Sequence, residues 1–173
     1  MLKKTVVFTV GLLVLTASFG CQNTGIRSDQ ERQVKIKTMY RQYAQEFPQV
    51  KGVTARELQQ LQQNQQLVLI DVRTPEEIAV SRIPGAITAA EFEANLAQYQ
   101  DVLAIAYCTI GYRSGLYAQE LAQQGIEVLN LEGSLLAWSH MEGELVNAEG
   151  TTNKVHVFGR QWRLTAADYE AVW

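Results

Sequence analysis

A single cysteine, Cys108, stands where the sequence changes from a strand pattern to a helix pattern. Residues 102–107 are apolar apart from one tyrosine hydroxyl, which predicts a buried strand, and an amphipathic helix pattern begins at Arg113. A cysteine in such a turn faces backbone N–H groups and a helix N-terminus, which favour the thiolate and can hold an added anionic group. Together with the fixed cation of Arg113, this pattern predicts sulfur chemistry. The alternative is a buried cysteine that only packs, which is the commonest role of a lone Cys.

Composition excludes several other function classes. The chain has 173 residues and a formal net charge of −3 with interspersed signs, which argues against a nucleic-acid partner. The two histidines, His140 and His156, are far apart, and no Cys/His cluster exists, so no metal site is expected.

The N-terminus has the pattern of an export signal. Lys3 and Lys4 precede an apolar run over residues 5–17, and small residues stand just before Cys21. We interpret residues 1–20 as a signal peptide and Cys21 as a lipidation site, which predicts a periplasmic or membrane-anchored lipoprotein outside the cytoplasm. A soluble exported protein and an uncleaved anchor are the two alternatives, because Ser18 and Phe19 depart from the usual lipoprotein pattern.

The mature chain divides into four segments. Residues 21–30 are predicted to be a tether, and residues 31–48 a helix that Pro48 ends. A central domain is predicted over residues 53–143, followed by a C-terminal extension over residues 144–173.

Strands and helices alternate through the central domain. Capping boxes at Thr54 and Thr74 begin two helices, and a further helix is expected over residues 89–99. Gly125 is placed to end the helix that follows Cys108. Apolar strands are expected at residues 67–71, 102–107 and 128–131. This order predicts an α/β fold with a mostly parallel central sheet and helices on both faces, in which ligands bind at the carboxyl ends of the strands.

The C-terminal extension has a different pattern. Residues 155–158 and 161–164 alternate like an edge strand or a hairpin around Gly159, and Thr165 is placed to cap a final short helix. We expect a structural cover over the domain.

Four landmarks stand in order along the chain: LIDVR at 69–73 with TPEE at 74–77, IPGA at 83–86, YCTIGYRS at 107–114 and LEGSLLAW at 131–138. Together they resemble the rhodanese (thiosulfate sulfurtransferase) family over residues 53–143. Two departures are Arg82, where the family usually has His, and Ser134, where a second Gly is common; neither is expected to touch the loop.

The resemblance implies a sulfurtransferase without a bound cofactor. Cys108 would attack the outer sulfur of a donor such as thiosulfate, and cyanide or a thiol would later accept that sulfur. Arg113 would orient the anionic donor. The loop residues implied to cradle the persulfide are Thr109, Ile110, Gly111, Tyr112, Arg113 and Ser114.

Loop length favours sulfur over phosphorus. Four residues lie between Cys108 and Arg113, whereas the related phosphatases and arsenate reductases have one more and so have room for a tetrahedral oxyanion. The resemblance therefore implies sulfur transfer rather than phosphate-ester hydrolysis.

The other polar landmarks are expected to support the loop. Asp71 is expected to accept loop N–H bonds, Arg73 to pair with a carboxylate such as Glu77, and Glu132 to tie down the following turn. Tyr112 is expected either to shape donor access or simply to be exposed.

Two other functions remain open from the sequence. One is a catalytically idle rhodanese module used for binding or sulfide sensing, although such a module has no need of Cys108, Gly111 and Arg113 together. The other is thiol redox chemistry, for which no nearby resolving cysteine exists.

Overall fold

The computed structural model describes residues 28–173, so the predictions for residues 1–27 lie outside it. Helix α1 (Asp29–Tyr43) is followed by a 3-10 turn, Ala44–Glu46. The Ser28 hydroxyl accepts the Glu31 N–H, and the Glu31 carboxylate accepts the Ser28 N–H. This capping box starts the helix within the predicted tether, so the bounds predicted for the helix were wrong at both ends.

A five-stranded parallel sheet forms the centre of the molecule, in the order β1-β5-β4-β2-β3. The predicted α/β class is thereby confirmed. Its strands are β1 (Gly52–Val53), β2 (Leu67–Asp71), β3 (Ile87–Thr88), β4 (Leu103–Tyr107) and β5 (Leu129–Leu131). The helices between and after them are α2 (Ala55–Asn64), α3 (Pro75–Val80), α4 (Ala89–Ala94), α5 (Tyr112–Gln123) and α6 (Ser134–Ser139).

Side-chain alternation along β4 divides the core into two layers. Ile105 and Tyr107 point into the layer that contains Ile36 of α1, Leu58 of α2 and residues of α6. Ala104 and Ala106 point the other way, towards Phe92 of α4 and Leu121 of α5. Strand β4 is the central strand of the sheet, and the turn that contains Cys108 follows it directly. The centre of the sheet therefore positions Cys108.

The helix predicted over residues 89–99 is interrupted. Helix α4 ends before Asn95, whose backbone leaves the helical region and whose side-chain amide donates to the Glu91 carbonyl at 2.8 Å. The asparagine side chain thus takes the carbonyl that the Asn95 N–H would bind in a continuing helix, which explains the break. A 3-10 turn, Leu96–Gln98, continues the chain.

The predicted end of α5 is confirmed. Gly125 has φ of +81°, its N–H donates to the Ala122 carbonyl, and the Ile126 N–H donates to the Leu121 carbonyl. This pair of bonds is the Schellman motif, which favours glycine because of its positive φ.

The C-terminal segment contains two small sheets. Strands β6 (Val146–Asn147) and β7 (Gly150–Thr151) form an antiparallel hairpin, whereas β8 (Lys154–His156) and β9 (Glu170–Val172) pair in parallel. The expected hairpin around Gly159 and the final helix were both wrong. The chain turns at Gly159, where φ is +131°, forms a 3-10 turn, and then brings 170–172 back beside β8.

The C-terminal segment shares the core of the central domain. Val155, Val157 and Leu164 are each at most 2% exposed and belong to the same apolar cluster as Leu69 and Ile105. Within residues 28–173, no helix is long and apolar enough to cross a membrane.

Candidate functional site

Cys108 lies in the turn between β4 and α5 and is only 1% exposed. The N–H of Gly111 points at its sulfur, with 3.1 Å between N and Sγ. Gly111 has φ of +97°, and a Cβ at this position would lie 2.9 Å from the Tyr40 ring. Glycine is required here for both conformation and space.

The surroundings of Cys108 favour its thiolate. Burial raises the pKa of the thiol, but hydrogen bonds from the backbone N–H groups of Ser114 and Gly111 and the charge of Arg113 together hold the pKa below its ordinary value. A cysteine that merely packs would lack these donors, and burial alone would raise its pKa.

Arg113 forms a bidentate ion pair with Glu77. Its two terminal nitrogens donate to the two carboxylate oxygens, each at 2.8 Å, and the Glu77 side chain is only 4% exposed. The guanidinium carbon also lies 5.0 Å from the centroid of the Phe158 ring. The cation beside Cys108 is therefore fixed on two sides.

This ion pair corrects one prediction. Arg73 was expected to pair with a carboxylate such as Glu77; it does pair with a carboxylate, but its guanidinium binds Asp71 instead, at 2.9 and 2.7 Å. Asp71 also accepts the Arg73 N–H at 3.1 Å, which confirms that its carboxylate accepts a loop N–H. Asp71 is two residues away and faces Arg73 at the strand end, whereas Glu77 is already occupied by Arg113.

The surroundings of Glu77 lower the pKa of its carboxyl far below the ordinary value. Burial raises the pKa of its carboxyl, but the hydrogen bonds from Arg113 and the Thr74 N–H, together with the Arg113 charge, lower that pKa to about 2. His156 Nδ1 lies 3.9 Å from Glu77 Oε1, too far for a hydrogen bond, and has no hydrogen-bond partner within residues 28–173.

A buried polar network holds the other side of the loop. The Ser114 hydroxyl donates to Asn130 Oδ1 at 2.7 Å, and Asn130 Nδ2 donates to the Gly111 carbonyl at 2.8 Å. The hydroxyl of Tyr40, on α1, lies 3.5 Å from the same amide nitrogen. Strand β5 and helix α1 thus position the residues that surround the sulfur.

Ser134 contacts the loop directly, contrary to expectation. Its hydroxyl accepts the Cys108 N–H at 3.1 Å and donates to the Leu131 carbonyl at 3.0 Å. Ser134 has φ of +46°, a region that favours the glycine usual in the family. The first N–H groups of α6 also reach the loop, because Leu135 donates to the Cys108 carbonyl and Leu136 to the Thr109 carbonyl.

The remaining predicted site residues have different surroundings. Ile110 is 3% exposed and packs in the core, so only its backbone lines the loop. The Thr109 hydroxyl lies 3.5 Å from Glu77 Oε1. Tyr112 turns towards the N-terminal helix, donating to Glu46 at 2.9 Å with its ring 5.0 Å from that of Tyr43.

The turn before α6 is tied down by the backbone of Glu132 rather than by its carboxylate. The Glu132 N–H donates to the Val53 carbonyl at 2.9 Å. Its side chain packs so closely on Gly52 that a Cβ there would lie 2.3 Å from Glu132 Oε1. Burial and the nearby Glu57 charge raise the pKa of the Glu132 carboxyl.

Comparison with known proteins agrees with this geometry. The family model described as "Rhodanese-like domain" matches residues 54–141. The chain belongs to the rhodanese-like family. Helix α1 and strands β6–β9 lie outside the matched segment of this rhodanese-like chain.

Two relatives and one solved structure illustrate the likeness. A protein named "Sulfurtransferase" from Allochromatium vinosum is 35% identical over 98 residues, which are 53% of this chain and 90% of that protein. "Uncharacterized protein slr1261" from Synechocystis is 36% identical over 90 residues, half the length of each chain. The crystal structure of thiosulfate sulfurtransferase from Pseudomonas aeruginosa matches with a TM-score of 0.55 and 25% identity, covering 75% of this chain and 26% of that one.

Sequence reasoning missed four side chains around the loop. Glu77 was assigned to Arg73, and Ser134 was considered remote. Asn130 was read only as part of a strand, although a polar residue inside an apolar run is itself a signal of a buried hydrogen-bond network. Phe158 lies in the C-terminal segment, for which no chemical role was predicted. Among residues 28–173, no group of three or more His, Cys, Asp or Glu side chains could hold a metal ion.

Proposed function

We propose that this protein is a sulfurtransferase that carries sulfane sulfur as a persulfide on Cys108. With thiosulfate as donor, the Cys108 thiolate attacks the outer sulfur and forms an S–S bond. The S–S bond of thiosulfate breaks, and sulfite leaves with the electron pair of that bond. Cyanide or a thiolate then attacks the outer sulfur of the persulfide and regenerates the Cys108 thiolate.

The single observation that carries this proposal is the set of donors around the sulfur. The Gly111 N–H points at Sγ, the Ser114 backbone N–H lowers the thiol pKa, and the charge of Arg113 acts in the same direction. Such donors stabilise negative charge on the sulfur before attack and on the outer sulfur of the persulfide afterwards.

Family membership and the name of the Allochromatium relative support the same reaction class. The chain matches only a quarter of the length of the Pseudomonas enzyme, so the choice of donor and acceptor for this chain is part of the proposal.

The proposal is tested by intact mass and by turnover. After incubation with thiosulfate, the wild-type protein should gain the mass of one sulfur, and cyanide should remove it. Cys108→Ser keeps the size of the side chain but should show neither the mass gain nor thiocyanate formation. Equal turnover by wild type and Cys108→Ser would contradict the proposal.

One observation favours a second function. Cys108 is almost fully buried, and the charge of Arg113 is already neutralised by Glu77. A protected thiol of this kind suits a module that stores or senses sulfane sulfur. For that role, the persulfide would form on Cys108 but cyanide and thiols would not remove it at a catalytic rate.

We further propose that the chain is exported and that Cys21 carries a lipid. The support is the pattern of residues 1–21 in the sequence. Intact mass of the protein purified from its host tests this proposal, because lipidation adds acyl mass at a new N-terminal cysteine. A mass equal to that of the uncleaved chain would contradict it.

A further inference from the structure

The C-terminal segment brings an aromatic ring to the Cys108 loop. Phe158 follows β8 and packs against the guanidinium of Arg113, with 5.0 Å between the Arg113 Cζ and the ring centroid. Arg113 in turn lies 3.5 Å from the hydroxyl of Thr109, the residue that follows Cys108. Phe158 therefore packs on the arginine that closes the Cys108 loop.

Phe158 is also available to a substrate. It is 50% exposed, whereas the valines on either side of His156 in the same segment are fully buried. A half-exposed phenylalanine gives up burial energy that an inward-facing position would supply, unless another molecule covers it.

Two neighbours hold the ring in place. The Trp162 ring meets it edge-on at 5.8 Å, and the His156 ring does so at 6.4 Å. These contacts fix a rigid apolar surface beside the loop, which is the kind of surface that binds an apolar group at low entropic cost.

The pairing of Arg113 with Glu77 also favours an organic donor. The carboxylate of Glu77 neutralises the charge of Arg113, and the ring of Phe158 lies over the guanidinium. A neutralised cation attracts an inorganic dianion such as thiosulfate less strongly, whereas an organic donor can also gain from the aromatic surface.

We propose that Phe158 is a specificity-determining residue that selects organic sulfur donors carrying an apolar group next to the reacting sulfur. This inference rests on the proposed persulfide chemistry of Cys108 and deepens it by naming the substrate class. The apolar group of the donor lies against the exposed part of the Phe158 ring while the sulfur reaches Cys108.

Two thiosulfonates provide the probe, because they differ only in their organic group. Benzenethiosulfonate and methanethiosulfonate both present an anionic sulfane sulfur. When the Cys108 thiolate attacks that sulfur, the S–S bond breaks, the sulfinate leaves with its electron pair, and the persulfide anion remains. The ratio of kcat/KM for the benzene donor to that for the methane donor measures recognition of the ring.

The wild type should prefer the benzene donor, and Phe158→Ala should lower the ratio about fivefold, as expected for the loss of one aromatic contact. Phe158→Tyr keeps the ring and should keep the ratio. Val34→Ala serves as the control, because Val34 is an exposed apolar residue of α1 and should leave the ratio unchanged.

The outcomes separate the two proposals. A mass gain of one sulfur on wild type with an unchanged ratio in Phe158→Ala overturns the role of Phe158 and leaves the sulfurtransferase proposal standing. A ratio that falls in Phe158→Tyr as much as in Phe158→Ala also overturns the role of Phe158, because the tyrosine keeps the ring. No mass gain on wild type from either donor overturns both proposals.

Discussion

Two arginine–carboxylate pairs lie near the Cys108 loop. Arg113 with Glu77 is partly open to solvent at its arginine, whereas Arg73 with Asp71 is completely buried. A buried pair is costly to break, because the remaining partner becomes an uncompensated charge. Single substitutions in either pair should therefore act on stability as well as on the loop.

Acid should reveal the contribution of Glu77. Its pKa is about 2 in the folded protein against an ordinary 4.5, so the unfolded chain takes up the proton first as pH falls. The stabilisation is complete above pH 4.5 and is lost as pH falls towards 2. Its size is on the order of 3 kcal/mol. Glu77→Gln should remove this part of the acid dependence, measured by urea unfolding between pH 7 and pH 2.

The control for this experiment is Glu149→Gln, because Glu149 is an exposed residue in the β6–β7 hairpin. This variant should lose stability in acid as the wild type does. An unchanged acid dependence in Glu77→Gln would show that Glu77 is not the group that titrates.

At the scale of single residues, a site residue could be predicted when it lay in the same short motif as Cys108. The cysteine, the loop glycine and the loop arginine were recognised because they lie within one short stretch. Ser134 was not recognised as a loop contact, because a hydroxyl at a position usual for glycine carries no spacing signal. Glu77 pairs with Arg113 rather than with Arg73 because of where the fold places the three side chains. The spacing of these residues in the sequence does not indicate this.

Helix α5 packs unusually close to the N-terminal segment. An ideal Cβ on Gly115 would lie 2.3 Å from the ring of Phe47, which is 1% exposed. Gly115 is one residue after Ser114, so this contact sets the distance between the loop-bearing helix and the turn that follows α1. A methyl group here must displace one of the two elements.

Gly115→Ala should destabilise the protein by about 1–3 kcal/mol, because overpacking against Phe47 outweighs the gain in helix propensity of about 1 kcal/mol. Urea unfolding measures the effect. Adding Phe47→Leu should recover part of the loss, whereas Gln123→Ala on the exposed end of α5 should change little. A stabilised Gly115→Ala variant would contradict the close packing.

Elements with strong local signals were predicted correctly. The capping boxes at Thr54 and Thr74, the strands β2 and β4, and the glycine end of α5 all follow from short-range patterns. The C-terminal segment was mispredicted, because the parallel pairing of β8 with β9 joins residues 16 positions apart. No local pattern distinguishes that pairing from a hairpin.

At the scale of the whole molecule, the rhodanese-like segment and the C-terminal segment form one core. Val155, Val157 and Leu164 pack with residues of the central sheet. Fully burying a side chain of this type contributes about 1.5–3 kcal/mol, so the three together contribute about 5–9 kcal/mol. That sum is comparable to the entire stability of an ordinary domain.

A chain that ends after Thr152 should therefore lose cooperative unfolding at 25 °C, because it lacks all three of these core residues. Circular dichroism during urea titration measures this loss. Removing only Trp173, which is 59% exposed, should leave the transition close to that of wild type. A transition like that of wild type in the chain that ends after Thr152 would show that the C-terminal segment is a separate unit.

Strands β8 and β9 follow the central sheet in the chain, and this order governs when the shared core can be completed during synthesis. The 20 residues from Lys154 to Trp173 are synthesised after all five strands of the central sheet. At about 5–20 residues per second, their synthesis takes about 1–4 s. During that interval, the sheet face that Val155, Val157 and Leu164 will cover is open, and the nascent chain presents this apolar surface to chaperones.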